Sequence, residues 1–202
     1  MSCKPMTSNA KKVYDALVNE FPDAMEEITR ISRNHSANKD FIICADKAFN
    51  FDVLHNVCGG GKKEKSPDAL FLKGDALCFV EFKEGKHERS DIRQKIHEGI
   101  ITLFQYSSAR GILSRSDFLG LDIRYAVVKR LDYKPESGAF LIALEKTKDY
   151  FDLKNIEGFL VSKTAVRWYP RSILELLHSV SGRTIQSIGF INADQSRSDF
   201  SI

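Results

Sequence analysis

Between Ser66 and Lys83 the chain reads Ser-Pro-Asp-Ala-Leu-Phe-Leu-Lys-Gly-Asp-Ala-Leu-Cys-Phe-Val-Glu-Phe-Lys, two apolar runs of strand length on either side of Gly74-Asp75. A glycine-led pair suits a two-residue hairpin turn with positive φ at its first position. With that turn Lys73 faces Ala76, and counting outward sets Asp68 opposite Glu81. Side chains alternate along a strand, so Asp68, Leu70, Leu72, Leu77, Phe79, Glu81 and Lys83 share one face, while Ala69, Phe71, Cys78, Val80 and Phe82 share the other. Both rows are mostly apolar, which places the hairpin in the middle of a sheet covered on both sides. The expectation is therefore an α/β chain with a mixed central sheet flanked by helices.

The same register creates an electrostatic demand. Opposed like charges destabilise a sheet, and burial raises the cost, so a cation is expected between Asp68 and Glu81. A hard divalent ion held by carboxylate oxygens fits best.

Pro67-Asp68 followed by Glu81-Phe82-Lys83 resembles the signature of the PD-(D/E)xK nucleases, the restriction-endonuclease-like superfamily. The motif covers only Pro67 to Lys83. The resemblance implies a restriction-endonuclease-like fold, with Asp68 and Glu81 as ligands of Mg²⁺, or of Mn²⁺ in its place. It implies Lys83 as the catalytic lysine that orients or activates the attacking water. The implied activity is an endonuclease hydrolysing DNA; an RNA-cleaving enzyme and a non-catalytic nucleic-acid-binding module are the alternatives. Many such nucleases pair two active sites, which makes a homodimer one expected assembly. Pro22-Asp23 and the triplets Glu84-Gly85-Lys86, Asp132-Tyr133-Lys134 and Asp152-Leu153-Lys154 repeat parts of the motif, but none joins a turn signal to two apolar strands in matching register.

Residues Asn9 to Asn34 show helical spacing at Val13, Ala16, Leu17, Ala24, Ile28 and Ile31, with Pro22 marking a break or second start. Glu20 and Glu27 border that stripe. The resemblance makes both candidates for completing the metal site, against the commoner role of such acids on a solvated helix flank. Phe41 to Cys44 and Phe49 to Cys58 read as extended segments entering the sheet, and the second runs into Gly59-Gly60-Gly61-Lys62-Lys63-Glu64-Lys65. This loop lacks the spacing of a Walker loop. Its Lys62, Lys63 and Lys65, with Lys86, Arg89 and Arg93 beyond the hairpin, are the candidate contacts to a nucleic-acid backbone.

A helix capped near Ser90 is expected next, with Ile92, Ile96, Ile100, Leu103 and Phe104 buried and Arg89, Arg93, Lys95 and His97 clustered in its early turns. Gln94 is placed to reach the site. The Gln-x-x-x-Tyr variant of the resembling family is not matched, because Glu98 fills the aromatic position. Ile123 to Val128 and Phe140 to Leu144 are further strand candidates, Phe159 to Val161 with Ala165 to Trp168 a hairpin, and Ser172 to Val180 a helix. The polar tail from Asn192 to Ile202 is expected to be loosely ordered.

The 202 residues, 43% hydrophobic, are expected to form a single domain. A net charge of +3 is too small to demonstrate a nucleic-acid partner on its own. No apolar run reaches membrane-spanning length and the N-terminal residues lack a secretory pattern, so an intracellular location, cytoplasmic or with the chromosome, is expected. Cys3, Cys44, Cys58 and Cys78 lack the spacing of a zinc or redox motif and read as reduced thiols, Cys44 and Cys78 in the core. Trp168, Tyr169 and Arg171 read as packing between a helix and the sheet ahead of a base-stacking group.

Overall fold

Asp68 and Glu81 owe their position to the strand on which the central sheet changes direction. The chain was analysed as a computed structural model that describes residues 7–35, 38–56, 65–84, 89–130, 151–192 and 194–202, with Ala139, Ala143 and Glu145. In chain order its strands are β1 (Met25–Glu27), β2 (Ile42–Ile43), β3 (Lys47–Asn50), β4 (Ala69–Lys73), β5 (Ala76–Lys83), β6 (Asp122–Lys129), β7 (Lys163–Arg167), β8 (Ser187–Ile191) and β9 (Arg197–Ser201). The helices are α1 (Asn9–Glu20), the single turn α2 (Ile28–Ile31), α3 (Arg89–Ala109), α4 (Arg115–Leu119) and α5 (Pro170–Val180). Among the described residues a six-stranded sheet runs in the order β1-β3-β4-β5-β6-β7, and a three-stranded sheet in the order β2-β8-β9. The pairs from β1 to β5 are antiparallel, while β5, β6 and β7 are parallel.

The hairpin folds in the register that its turn residues dictate. Gly74 has φ +58°, Lys73 pairs with Ala76, and the ladder continues outward to Ala69 with Val80. Leu70, Leu77 and Phe79 pack on the same side as Ala10, Val13 and Leu17 of α1 and Ile92, Ile96 and Leu103 of α3. Ala69, Phe71, Cys78 and Val80 pack on the other side, against Ile173, Leu174 and Leu177 of α5 and Ile188 and Phe190 of β8. The sheet is therefore covered on both faces, as its doubly apolar strands require.

The starts of α1 and α5 have identifiable causes. Ser8 caps α1 by accepting the Lys11 N–H at 3.3 Å, and Ala10, Val13 and Leu17 form its buried stripe. Pro170 opens α5, where a missing N–H costs nothing. Glu145, buried, does the capping there: its Oε1 accepts the N–H groups of Trp168 at 2.7 Å and Tyr169 at 2.9 Å and the Ser172 hydroxyl at 2.5 Å.

Several expectations need correction. Pro22 ends the first helix outright, and Met25–Glu27 pairs with β3 as an edge strand before the chain turns into α2. Phe41 to Cys44 contributes only Ile42 and Ile43 as strand, and these join the small sheet instead of the central one. Extended structure stops at Asn50, where Phe51–Asn56 coils into a 3₁₀ segment. Residues 159–168 form no hairpin; Lys163–Arg167 runs parallel to β6 instead. The tail is a strand, because Arg197–Ser201 completes five pairs with β8 and Phe200 packs against the core. The candidate strand Phe140 to Leu144 lies outside the described residues except for Ala143, which is helical. Cys44 and Cys78 are buried free thiols, and Trp168 is buried in the core. Among the described residues no helix is long and apolar enough to cross a membrane.

Candidate functional site: a carboxylate pair bridged by a lysine

Asp68 lies just before β4 and Glu81 near the end of β5, so the hairpin brings the two carboxylates to one end of the sheet. This is the carboxyl end of the parallel strands β5, β6 and β7, the end at which open α/β sheets place their ligands. Asp68 is held by its backbone and its side chain together. Its carbonyl accepts the Phe51 N–H at 3.0 Å, and its Oδ2 accepts the Phe82 N–H at 2.6 Å. Arg130 fixes the far end of the hairpin: its N–H donates to the Lys83 carbonyl at 2.8 Å, and its guanidinium pairs with Glu84 and donates to the Asp40 carbonyl.

Two lysines neutralise the pair. Lys83, two residues beyond Glu81 and on the same face, sets its Nζ 2.6 Å from Glu81 Oε1. Lys95, from the second turn of α3, sets its Nζ 2.6 Å from the same Glu81 oxygen and 3.2 Å from Asp68 Oδ1. The cation that the sequence demands between the carboxylates is thus Lys95 in this structure. Glu81 is fully buried, and the buried Tyr125 hydroxyl is a further polar neighbour of its carboxylate.

The electrostatics follow from burial and crowding. Burial first, and then the neighbouring Glu81 charge, push the Asp68 carboxyl up to about 7, against the pull of Lys95, the Phe82 N–H and Lys83. Burial alone would lower the pKa of Lys95, but the charges of Glu81 and Asp68 outweigh it and hold the ammonium above its ordinary value. The Tyr125 hydroxyl is raised well above the usual phenol range, by burial and then by the same two carboxylates.

A cleft of about 520 Å³ opens over this group, and Glu26, Arg30, Asn50 and Asp52 line it together with Asp68, Lys83 and Lys95. Glu26 accepts from the Asn50 amide at 3.2 Å and pairs with Arg30 at 3.2 Å.

The candidate site residues therefore separate. Asp68, Glu81 and Lys83 are brought together. Glu20 is not: it binds Arg110 and the Tyr106 hydroxyl, roughly four helical turns along from Lys95. Glu27 is exposed on the edge strand opposite Lys47, whereas its neighbour Glu26 lines the cleft. The cause is the strand at Met25–Glu27, where adjacent side chains point to opposite faces. Gln94 donates to Glu98 on the exposed side of α3 and does not reach the site. Lys65 pairs with Asp91 at 2.6 Å, and Arg93 is half-buried on α3. Lys62, Lys63, Lys86 and the side chain of Arg89 lie outside the described residues.

Sequence reasoning noticed Lys95 only as one of several cations. The signal that singles it out is its place among Ile92, Ile96 and Gly99, the buried face of α3. A lysine on such a face needs an acidic partner.

Comparison of the chain with family models, with curated proteins and with solved structures finds no match. The residues themselves must carry the functional reading.

Among the described residues no group of three or more His, Cys, Asp or Glu side chains forms a metal cage. Two carboxylates close enough to share one cation still fit Mg²⁺. That ion keeps several waters and takes only one or two protein carboxylates in many sites.

Proposed function

We propose that this chain is a metal-dependent nuclease of the PD-(D/E)xK type, hydrolysing phosphodiester bonds in DNA. The observation that carries the reading is the placement of Asp68 beside Glu81 with the Lys83 ammonium 2.6 Å from Glu81, next to an open cleft that Asp68 and Lys83 line. Asp68 and Glu81 are the residues that would hold Mg²⁺ or Mn²⁺. When bound, the metal polarises the scissile phosphate and lowers the pKa of a bound water. Lys83 donates to the attacking water and offsets the negative charge that develops on the phosphate. The Phe82 N–H keeps the Asp68 carboxylate oriented, and Arg30, on the cleft wall, is placed to meet a phosphate oxygen.

One observation favours a second reading, a nucleic-acid-binding module without catalysis. Lys95 already bridges both carboxylates, and a permanent ion pair there would leave no place for a metal. Incubation of the purified chain with supercoiled plasmid, single-stranded DNA and RNA in Mg²⁺, Mn²⁺ or EDTA separates the readings. Metal-dependent cutting that disappears in Asp68→Ala, Glu81→Ala and Lys83→Ala is the expected result, and the cleaved polymer fixes the substrate class. Cutting retained by a contaminant-free variant overturns the assignment, and binding without cutting moves it to the module.

A further inference from the structure

We propose that Lys95 is a displaceable counter-ion: its ammonium holds the place of the divalent cation in the metal-free protein and leaves the carboxylate pair when metal binds. The proposal rests on the metal-dependent reading above. Its basis is positional. The Lys95 Nζ lies within hydrogen-bond distance of one oxygen from each carboxylate, the place that any ion bridging the two must take. Among the described residues Lys83 pairs with Glu81 and forms no ion pair with Asp68. Both ammonium groups crowd onto the single oxygen Oε1 of Glu81. A dication joining two ammonium groups in this space would bring three like-signed centres together in a poorly solvated site, and one of them has to move.

Lys95 is the one that occupies the bridging place. Lys83 ends β5 on the β6 side, where its carbonyl accepts the Arg130 N–H, and its ammonium pairs with Glu81. Lys95 hangs on a flexible four-carbon stem, its side chain is 18% exposed, and it lines the open cleft. The helix beneath it is fixed, because Gly99, one turn further on, packs directly against Pro67. The motion therefore belongs to the side chain and not to α3. Glu26 and Asp52 line the same cleft as Lys95.

The test is calorimetric titration of the full chain with Mn²⁺, comparing wild type with Lys95→Met, Lys95→Gln and Lys83→Met, each checked for native circular dichroism. Displacement predicts that Lys95→Met and Lys95→Gln bind Mn²⁺ about tenfold more tightly than wild type or better, and that Lys83→Met gains clearly less. A crystal structure with Mn²⁺ reads the same event without mutation: the Lys95 Nζ should be out of hydrogen-bond reach of both carboxylates, with the anomalous peak between them. Equal or weaker binding by the Lys95 variants, or a metal-bound structure in which Lys95 still bridges, overturns the proposal and leaves the metal site standing. If neither wild type nor the Lys95 variants bind Mn²⁺, the metal-dependent reading itself falls.

Discussion

Replacing Gly99 with alanine should destabilise this protein, although the same change in most helices does the reverse. A Cβ built on Gly99 would stand 2.5 Å from Pro67 Cδ and 2.8 Å from Pro67 Cγ. Carbon atoms in contact sit about 3.5–4.0 Å apart, so the overlap is about 1 Å. The proline ring is closed onto its own backbone nitrogen and cannot swing aside like the end of a long side chain. Relief must come from moving α3 off the hairpin or from moving Pro67, whose neighbour Asp68 is held by the Phe51 and Phe82 N–H groups. Overpacking of this kind costs about 1–3 kcal/mol, while alanine is favoured over glycine in a helix by about 1 kcal/mol. The net expectation is a loss on the order of 1 kcal/mol, reaching about 2, which for a chain of this size lowers Tm by about 2–4 °C per kcal/mol. Urea unfolding followed by circular dichroism measures it, and Pro67→Ala supplies the control. In the Pro67→Ala background the clash is gone, and Gly99→Ala should become neutral or stabilising, so the two changes are strongly non-additive. If Gly99→Ala alone stabilises the protein by about 1 kcal/mol, as at an open helical position, the close contact between helix and hairpin is refuted.

Three further outcomes are expected. Because the folded-state pKa of Asp68 is raised from 3.8 to about 7, the native state retains a proton there that the unfolded chain has lost; stability in EDTA should therefore decline as pH rises from about 4 through 7. Asp68→Asn should flatten that slope, and identical urea midpoints against pH for both proteins would contradict it. Glu145→Ala strips the buried acceptor from the N–H groups of Trp168 and Tyr169; with about 1–3 kcal/mol for each orphaned group, the urea midpoint should fall sharply, and an unchanged midpoint would refute the cap. Burial pushes the Cys44 and Cys78 thiols up to about 11, so neither should react with iodoacetamide at pH 8 in the native state and both should react in urea, as peptide mass mapping will show.

The hairpin was readable because its information is local. Gly74-Asp75 fixes a turn, the turn fixes a register, and the period of two then decides which side chains share a face. Asp68, Glu81 and Lys83 are together for that reason alone. The apolar rows on both faces likewise announced a covered sheet, and the stripe of Val13 and Leu17 announced α1. Glu26 was not readable, because its position turns on whether the chain after Pro22 resumes a helix or pairs with a strand twenty residues away. The tail fails for a related reason: a polar sequence becomes a strand only when β8 offers it an open edge.

The sequence by itself determined that two carboxylates would face each other near a lysine and that something cationic must lie between them, since alternation and Coulomb repulsion need no knowledge of the rest of the chain. Only the tertiary structure decided which cation that is. Lys95 reaches the pair because α3 crosses back over the hairpin and locks against Pro67 at Gly99, and a contact between elements so far along the chain is settled by packing, which no local pattern records.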